Sequence, residues 1–359
     1  MKKIGILVIL ISLILTNTTF AMDKYTGIKE YEGLYNNLNF SDIKNSPYKK
    51  SIYKLASLSV IRKKSSNKFY PSKNISKEEV ITMLVRIAGK EEEVQGIIGK
   101  KKLNGNDELE AYLDVAKKIN LITKDEAKDI LYVSDEEKYK IEDKINEEVK
   151  KNPNYTEDEI VDLEEKIRRD MEHKYTWGKL TNREEVAIWI GRIMGLNKIN
   201  GSNRQYVYNL KDHSKIKAEN ISLIERVLQL KIIEPIDGYF KPSSPIRRDE
   251  MAVILDKISK KIFELRGYVV KEGVIDSKEE FVVPVENLIT GEIRGENNYV
   301  YTTRDEKGEY NKISTVGDSG YIVYDKYNGI IGLAPNLEEY DYIEYWINDK
   351  KNVVYVEVK

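Results

Sequence analysis

Residues 240–251 read FKPSSPIRRDEM, and the same pattern of residues occurs twice upstream, which makes it the strongest signal of the fold. The earlier copies are FYPSKNISKEEV at 69–80 and TNREEV at 181–186. Apolar residues follow each copy at the i, i+3, i+4 and i+7 spacing of a helix that buries one face. Each copy therefore predicts the start of an amphipathic helix.

Capping signals support these helix starts. Ser76 and Asn182 stand three residues before Glu79 and Glu185, which is the spacing of a capping box. The third copy keeps the acidic residue as Glu250 but has an arginine at the cap position, so its cap is expected to be weaker.

A second helix is predicted before each of these three helices. Each of these preceding helices ends in a short apolar pair, at residues 60–61, 121–122 and 232–233. Gly89 and Gly195 stand where a C-cap glycine would end the later helix of the first two copies. The unit is therefore helix–loop–helix. One unit is too small to bury its own apolar faces, so we expect the copies to pack on one another.

The copies are unevenly spaced. Glu79 and Glu185 are 106 residues apart, whereas Glu185 and Glu250 are 65 apart. The excess lies at about 123–178, a stretch dense in charge with two apolar helical stripes separated by Asn-Pro-Asn at 152–154. We interpret it as an inserted helical hairpin with solvated outer faces. A spacer without a function of its own is the alternative.

These units resemble the S-layer homology repeat of bacterial cell-surface proteins. That repeat begins near Phe-Ser-Asp and later reads Phe-x-Pro, then Ile-Thr-Arg-Ala-Glu. Here residues 40–42 read Phe-Ser-Asp, residues 210–212 are a weaker match, and 238–250 match the later motif most closely. The resemblance implies a bundle of three repeats at 40–90, 104–195 with its insert at about 123–178, and 206–265.

The units also depart from the family pattern. Ser59, Asn120 and Lys231 replace the glycine of the turn between the helices, and Lys77 replaces the motif arginine in the first unit. The second unit has no recognisable Phe-Ser-Asp start, and no unit has tryptophan at the first-helix position, although Tyr48 is near it.

The resemblance implies non-covalent attachment to secondary cell-wall polysaccharide, which often carries acidic pyruvyl ketals. Lys77, Arg183 and Arg248 each occupy the first position of a predicted helix, where a cation opposes the helix dipole. Free amides at a helix start together with a guanidinium would form an anion site. Solvated charges, or partners of nearby acids, are the alternative.

Three more residues are candidates for glycan binding. Asp42 and Asp212 could bind sugar hydroxyls or simply cap the next helix. Trp177 precedes the second motif and could stack on a sugar ring, whereas Trp189 lies on an apolar stripe and is predicted to be core.

The first residues have the three-part pattern of an export signal. Lys2 and Lys3 precede an apolar run at 4–15, and Ala21 ends a small, polar stretch. The run is shorter than the roughly 20 residues that span a bilayer. We therefore expect a signal peptide at 1–21, a linker at 22–39, and a secreted protein at the cell wall or cell surface of a bacterium that does not span the membrane after cleavage. An uncleaved anchor is the alternative.

Residues 266–359 have a different texture. Short runs of Val, Ile and Tyr alternate with turn sequences such as Asn-Gly at 328–329, which indicates strands. We predict a small antiparallel β domain of unknown task, so that the whole chain is α+β. A hydrolase in this domain is a remote alternative, since a glycosidase needs only two carboxylates at the right distance.

The composition excludes several function classes. The 59 Lys and Arg against 60 Asp and Glu give a net charge of −1, which argues against a nucleic-acid surface. The absence of Cys excludes disulfides, Cys-ligated zinc and iron–sulfur clusters, and two His are too few for a multi-histidine metal site. We therefore expect no cofactor, no metal site and no enzyme.

The favoured function is an exported surface protein that binds the cell wall through its repeats and displays the small β domain. The alternative is a degenerate bundle that holds no glycan and mediates protein contacts or envelope assembly, with surface-layer proteins as possible partners.

Overall fold

The computed structural model describes residues 25–62, 67–103, 108–196, 204–287 and 289–359. The chain forms two compact units, one of which is helical and spans Phe40–Arg266. The other combines the described residues up to Asn39 with Gly267–Lys359. The predicted signal peptide at 1–21 lies outside the described residues. Within the described ranges, no helix has the length and apolar character needed to cross a membrane.

The chain is α+β, as the sequence predicts. Its described α-helices are α1 Tyr31–Asn36, α2 Lys49–Ser57, α3 Lys77–Ile87, α4 Glu91–Lys101, α5 Glu108–Lys118, α6 Lys124–Leu131, α7 Asp135–Lys151, α8 Glu157–Tyr175, α9 Arg183–Ile193, α10 Gln205–Tyr208, α11 Ile221–Gln229 and α12 Arg248–Leu265. All except α1 belong to the helical unit.

The predicted helix starts are confirmed. The Ser76 hydroxyl accepts a hydrogen bond from the Glu79 amide at the start of α3, and the Asn182 side chain accepts one from the Glu185 amide at the start of α9. At α12 the Glu250 carboxylate accepts from the Arg247 amide at 3.0 Å, while no side chain at the cap position accepts in return. The start of α12 is thus capped only by the Glu250 carboxylate.

Three helix pairs build the core of the helical unit. Helix α3 packs on α5, α9 packs on α11, and α12 packs on α2. Their facing residues, including Trp189, are almost fully buried, so the core position predicted for Trp189 is confirmed. Burial of these apolar side chains provides most of the driving force for the association of the helices.

The turns that connect the helices share one backbone conformation. Ser59, Asn120 and Lys231 have φ values of 60°, 57° and 52°, which is the left-handed region where the family pattern has glycine. Gly89 and Gly195, at φ 73° and 63°, take the same region after α3 and α9, as predicted for C-caps. The turns thus keep the left-handed backbone conformation, although this chain has other residues where the family pattern has glycine.

A ring of three backbone hydrogen bonds joins the segments that precede α3, α9 and α12. The Ile75 amide donates to the Ile246 carbonyl (2.8 Å), the Ile246 amide to the Thr181 carbonyl (3.2 Å), and the Thr181 amide to the Ile75 carbonyl (3.1 Å). Each segment therefore donates to one neighbour and accepts from the other. The ring brings the starts of the three helices together.

The helical hairpin predicted for the insert is present as α7 and α8. Ile141 and Ile145 of α7 are buried, and Arg168 of α8 pairs with Glu142 of α7 at 2.8 Å. Helix α8 has no buried residue. The outer faces of the hairpin are covered with charged residues, so they are solvated as predicted.

The second unit is a nine-stranded sheet in the order β5-β1-β4-β3-β2-β8-β9-β6-β7. A further pairing of β1 with β9 makes β1, β4, β3, β2, β8 and β9 a closed circle of paired strands. The strands are β1 Tyr25–Lys29, β2 Val269–Glu286, β3 Ile293–Arg304, β4 Tyr310–Ser314, β5 Ser319–Gly320, β6 Ile322–Asp325, β7 Ile330–Leu333, β8 Tyr342–Ile347 and β9 Asn352–Val358. Tyr301, Ile313, Tyr345 and Val356 are among its buried core residues.

Two predictions for this unit are wrong. The sheet is mixed rather than antiparallel, because β1 runs parallel to β4 and β9, and β6 runs parallel to β9. The predicted linker at 22–39 contains β1 and α1, and β1 belongs to the sheet. Strand β1 lies before the helical unit in the chain, so no hairpin turn joins it to its partners or sets its direction.

Candidate functional site

Arg248 begins α12 and is only 8% exposed. Its Nε donates to the Phe69 carbonyl at 2.7 Å, and its guanidinium carbon lies 4.8 Å from the centre of the Phe69 ring. The guanidinium also forms an ion pair with Glu79 of the first capping box. Both the charge and the donors of Arg248 are therefore engaged within the bundle.

Lys77 begins α3 in a similar setting. It is 7% exposed, and its ammonium forms an ion pair with Glu185, the acidic member of the second capping box. Lys77 and Arg248 thus each reach the capping glutamate of a neighbouring segment, in the same direction around the ring. For these two cations the alternative, a partner in a nearby acid, is what the structure shows.

Arg183 begins α9 and is 5% exposed, but its partners differ. Its Nε donates to the Phe240 carbonyl at 2.8 Å and its Nη2 donates to the Glu234 carbonyl at 2.9 Å. Among the described residues it forms no ion pair. Burial lowers the pKa of Arg183, and the negative charges of Glu250 and Asp212 partly oppose that shift. This is a buried cation whose direct partners are neutral.

The amides at these helix starts are not free. In each helix the first two amides donate to carbonyls of a neighbouring segment: Arg248 and Asp249 to Lys73 and Pro71, Arg183 and Glu184 to Ser244 and Pro242, and Lys77 and Glu78 to Lys179 and Trp177, at 2.9–3.3 Å. The prediction that free helix amides form part of an anion site is therefore wrong. Carbonyl groups of the neighbouring segments accept the hydrogen bonds of these amides.

Asp42 and Asp212 hold the loops that precede the ring. Oxygens of Asp42 accept from the Phe69 and Tyr70 amides at 2.8 and 2.7 Å. Those of Asp212 accept from the Phe240 and Lys241 amides, both at 2.8 Å. Neither carboxylate caps the helix that follows it in the chain.

Each carboxylate instead fixes a strained loop residue. Tyr70 and Lys241 have φ values of 57° and 58°, a conformation that costs about 1 kcal/mol or more for a residue other than glycine. The two aspartates therefore act as loop anchors in the first and third segments.

Trp177 is buried, with 4% of its surface exposed. Its carbonyl accepts from the Glu78 amide, which is the role that the Pro71 and Pro242 carbonyls have in the other two segments. Trp177 therefore stands at the proline position of the motif. Its ring offers almost no surface on which a sugar could stack.

A groove of about 120 Å³ lies beside Arg183. Its polar and aromatic lining comes from Tyr48, Arg183, Glu234, Glu250 and Lys257. The Lys257 ammonium contacts the exposed Glu234 carboxylate at 3.0 Å. No sequence motif indicates Lys257, whereas Tyr48 is indicated by its place near the family's tryptophan position. Of the three cations at helix starts, Arg183 is the one that lines this groove.

The S-layer homology domain model matches residues 39–81 and 210–252. The chain is thus a protein with S-layer homology domains, a class of non-catalytic modules that anchor proteins to the cell wall. The resemblance noted in the sequence is confirmed for these two segments, and it implies a protein associated with the cell surface. No curated protein matches the chain significantly.

Proposed function

We propose that the helical unit binds secondary cell-wall polysaccharide without a covalent bond, in the groove beside Arg183. The proposal rests on the setting of the Arg183 side chain. Arg183 is buried at the groove wall, and among the described residues its guanidinium bonds only carbonyl oxygens. A buried cation is stable when it is paired, so this groove favours an acidic ligand.

An acidic group of the polymer, such as a pyruvyl ketal carboxylate, would supply a directly bonded counter-charge, since Glu250 and Asp212 act on Arg183 without bonding it. A guanidinium binds a carboxylate through two parallel hydrogen bonds, which adds direction to the charge attraction. Tyr48 brings an aromatic ring to the groove, and Lys257, whose ammonium is paired with Glu234, also lines it. Of the residues first considered as glycan ligands, Arg183 thus remains the strongest candidate, while Lys77, Arg248, Asp42, Asp212 and Trp177 have structural contacts.

We also propose that the middle segment at 104–195 is a third, diverged repeat beside those at 40–90 and 206–265. Its Asn120 turn, its Asn182–Glu185 capping box and its place in the backbone ring repeat the features of the two matched segments. The insert at about 123–178 interrupts it between its two main helices. The insert is a spacer in this proposal, and the β unit is carried by the anchored protein.

We also propose that the protein is exported. A signal peptide at 1–21 would be removed to leave Met22 as the first residue of a secreted protein. N-terminal sequencing of the protein in the surface fraction checks this step, and finding Met1 there would contradict it.

A second candidate function is a bundle that mediates protein contacts, for example with surface-layer proteins, and holds no glycan. The ion pairs of Lys77 with Glu185 and of Arg248 with Glu79 favour it, because two of the three cations are already neutralised. Sedimentation of the full chain with native walls and with walls stripped of polysaccharide separates the two candidates. Binding to native walls alone supports the anchor, and equal binding to both, or to neither, contradicts it.

A further inference from the structure

The β unit contains a cavity that the wall-binding proposal does not use. Its volume is about 480 Å³, within the range of small-molecule sites. Glu30, residues of α1 and β3, the segment from Thr315 to Ser319, and Pro335 line it. The lining includes four acidic residues, Glu30, Glu32, Glu296 and Asp318, together with the ring of Tyr31.

The negative charge of this cavity is uncompensated. No Lys or Arg is among its lining residues, and within the described part of the chain none of the four carboxylates has an ion pair or a side-chain hydrogen bond. Burial raises the pKa of Tyr31, and the charges of Glu32, Glu296 and Asp318 raise it further. Three of the carboxylates thus act on one phenol. A cation is the complement that this field attracts.

A nearly buried serine without a side-chain partner also faces this cavity, independently of the charge. Ser319 lines the cavity and is 9% exposed, and its hydroxyl has no hydrogen-bond partner among the described residues. The Ser319 oxygen is not among the fully buried, unbonded polar atoms of the described residues, so it is accessible, and a ligand in the cavity that Ser319 lines can bond it. Thr315 is 5% exposed, and its oxygen accepts from the Tyr299 amide at 2.8 Å, which leaves its O–H free to donate.

The aromatic wall of the cavity is held in place. The ring of Tyr31 lies directly against Gly320, where an added Cβ would come within 2.6 Å of the ring. The second tyrosine, Tyr299, has the Lys278 ammonium 5.4 Å from its ring centre, but that ammonium bonds Glu338 at 3.1 Å and does not line the cavity. Both rings line the cavity, and Tyr31 is the one without a cation over its face among the contacts described.

We propose that this cavity binds an amino sugar with a free ammonium group. The carboxylates attract the ammonium, the hydroxyls of Ser319 and Thr315 bond sugar hydroxyls, and the Tyr31 ring packs against the apolar face of the pyranose. Hydroxyl donors beside a ring favour a sugar over a simple amine. In the described residues no three acidic or imidazole side chains are grouped as metal ligands, so the carboxylates suit an extended organic cation better than a metal ion. The assignment goes beyond wall anchoring and does not depend on it.

The test is calorimetric titration of the full mature chain with glucosamine, N-acetylglucosamine and free lysine. We expect glucosamine to bind, and acetylation to weaken binding at least tenfold because it removes the charge that the carboxylates attract. Raised salt should also weaken glucosamine binding, since the carboxylates lie at an exposed rim.

Variants locate the site. Glu296→Gln and Asp318→Asn should each weaken glucosamine binding about two- to fivefold, the range for exposed charge pairs. Ser319→Ala should weaken it without changing its salt dependence. Glu306→Gln, an exposed acid outside the cavity lining, is the matched control and should bind as wild type.

Several results overturn the proposal. They are the absence of glucosamine binding, equal binding of N-acetylglucosamine, lysine binding as tight as that of glucosamine, and unchanged binding in all three cavity variants. Melting curves show whether each variant is folded. If a carboxylate variant fails to fold, Ser319→Ala and the acetylated sugar still decide the outcome. Wall sedimentation should be unaffected by these variants, so failure here is distinct from failure of the anchor.

Discussion

Replacing Asp212 with Ala should destabilise the helical unit strongly. The Asp212 carboxylate is 6% exposed and accepts two backbone hydrogen bonds at 2.8 Å, from Phe240 and Lys241. A hydrogen bond to a charged group contributes roughly 1.5–3 kcal/mol, and the two bonds share one carboxylate, so we expect a loss of about 3 kcal/mol in the free energy of unfolding. For a unit of this size the melting temperature should fall by about 6–12 °C.

The assay is thermal unfolding followed by circular dichroism, with two comparison variants. Asp212→Asn keeps an acceptor and should recover much of the loss. Asp42→Ala removes the equivalent carboxylate of the first segment, which is more exposed, and should therefore cost less. If Asp212→Ala melts as wild type but binds walls more weakly, the carboxylate contacts ligand and the loop-anchor role is refuted.

Two further predictions concern the insert and pH. Deleting residues 134–174 and joining the ends with a short Gly/Ser loop should leave the helical unit folded, because loop length costs little free energy and α8 buries no residue. Circular dichroism measures the helix content of the variant. Loss of the folded state would show that the hairpin is part of the core. Burial raises the pKa of Glu126, but hydrogen bonds from Arg192 and Thr123 outweigh burial, so the pKa is lowered overall. The ionised carboxylate therefore stabilises the folded state above the pKa that Glu126 has in the unfolded chain. This stabilisation is lost as the pH falls through the pKa that Glu126 has in the folded state. Glu126→Gln should thus reduce the acid dependence of the melting temperature between about pH 5 and pH 3, and an unchanged dependence would contradict the role of that pair.

The local parts of the fold could be predicted from the sequence. The Ser76–Glu79 and Asn182–Glu185 boxes lie within four residues, so each helix start is specified by its own segment. The same is true of the C-caps at Gly89 and Gly195. These signals need no knowledge of distant partners.

The partners of the motif cations could not be predicted in the same way. Lys77 pairs with a residue 108 positions away, and Arg248 with one 169 positions away. Only the backbone ring brings these side chains together. The free-amide hypothesis failed for that reason, since the carbonyls that accept the amides come from other segments.

The β unit shows the same limit. Tyr25–Lys29 pairs with strands near residues 313 and 352, so its role in the sheet depends on contacts that no local pattern reveals. The place of Trp177 before the second motif makes it a candidate for sugar stacking, but the chain joins the backbone ring there and buries the side chain.

If the helical unit binds the wall as proposed, the charge of Arg183 holds an acidic group of the polymer. The most direct test compares wall-binding isotherms of Arg183→Lys and Arg183→Gln, with melting curves alongside. Both variants lose the guanidinium bonds to the Phe240 and Glu234 carbonyls, and they differ chiefly in charge. A charge-assisted hydrogen bond is worth roughly 1.5–3 kcal/mol, so we expect the folded Gln variant to bind about ten- to hundred-fold more weakly than the Lys variant. Equal binding by the two folded variants would contradict it.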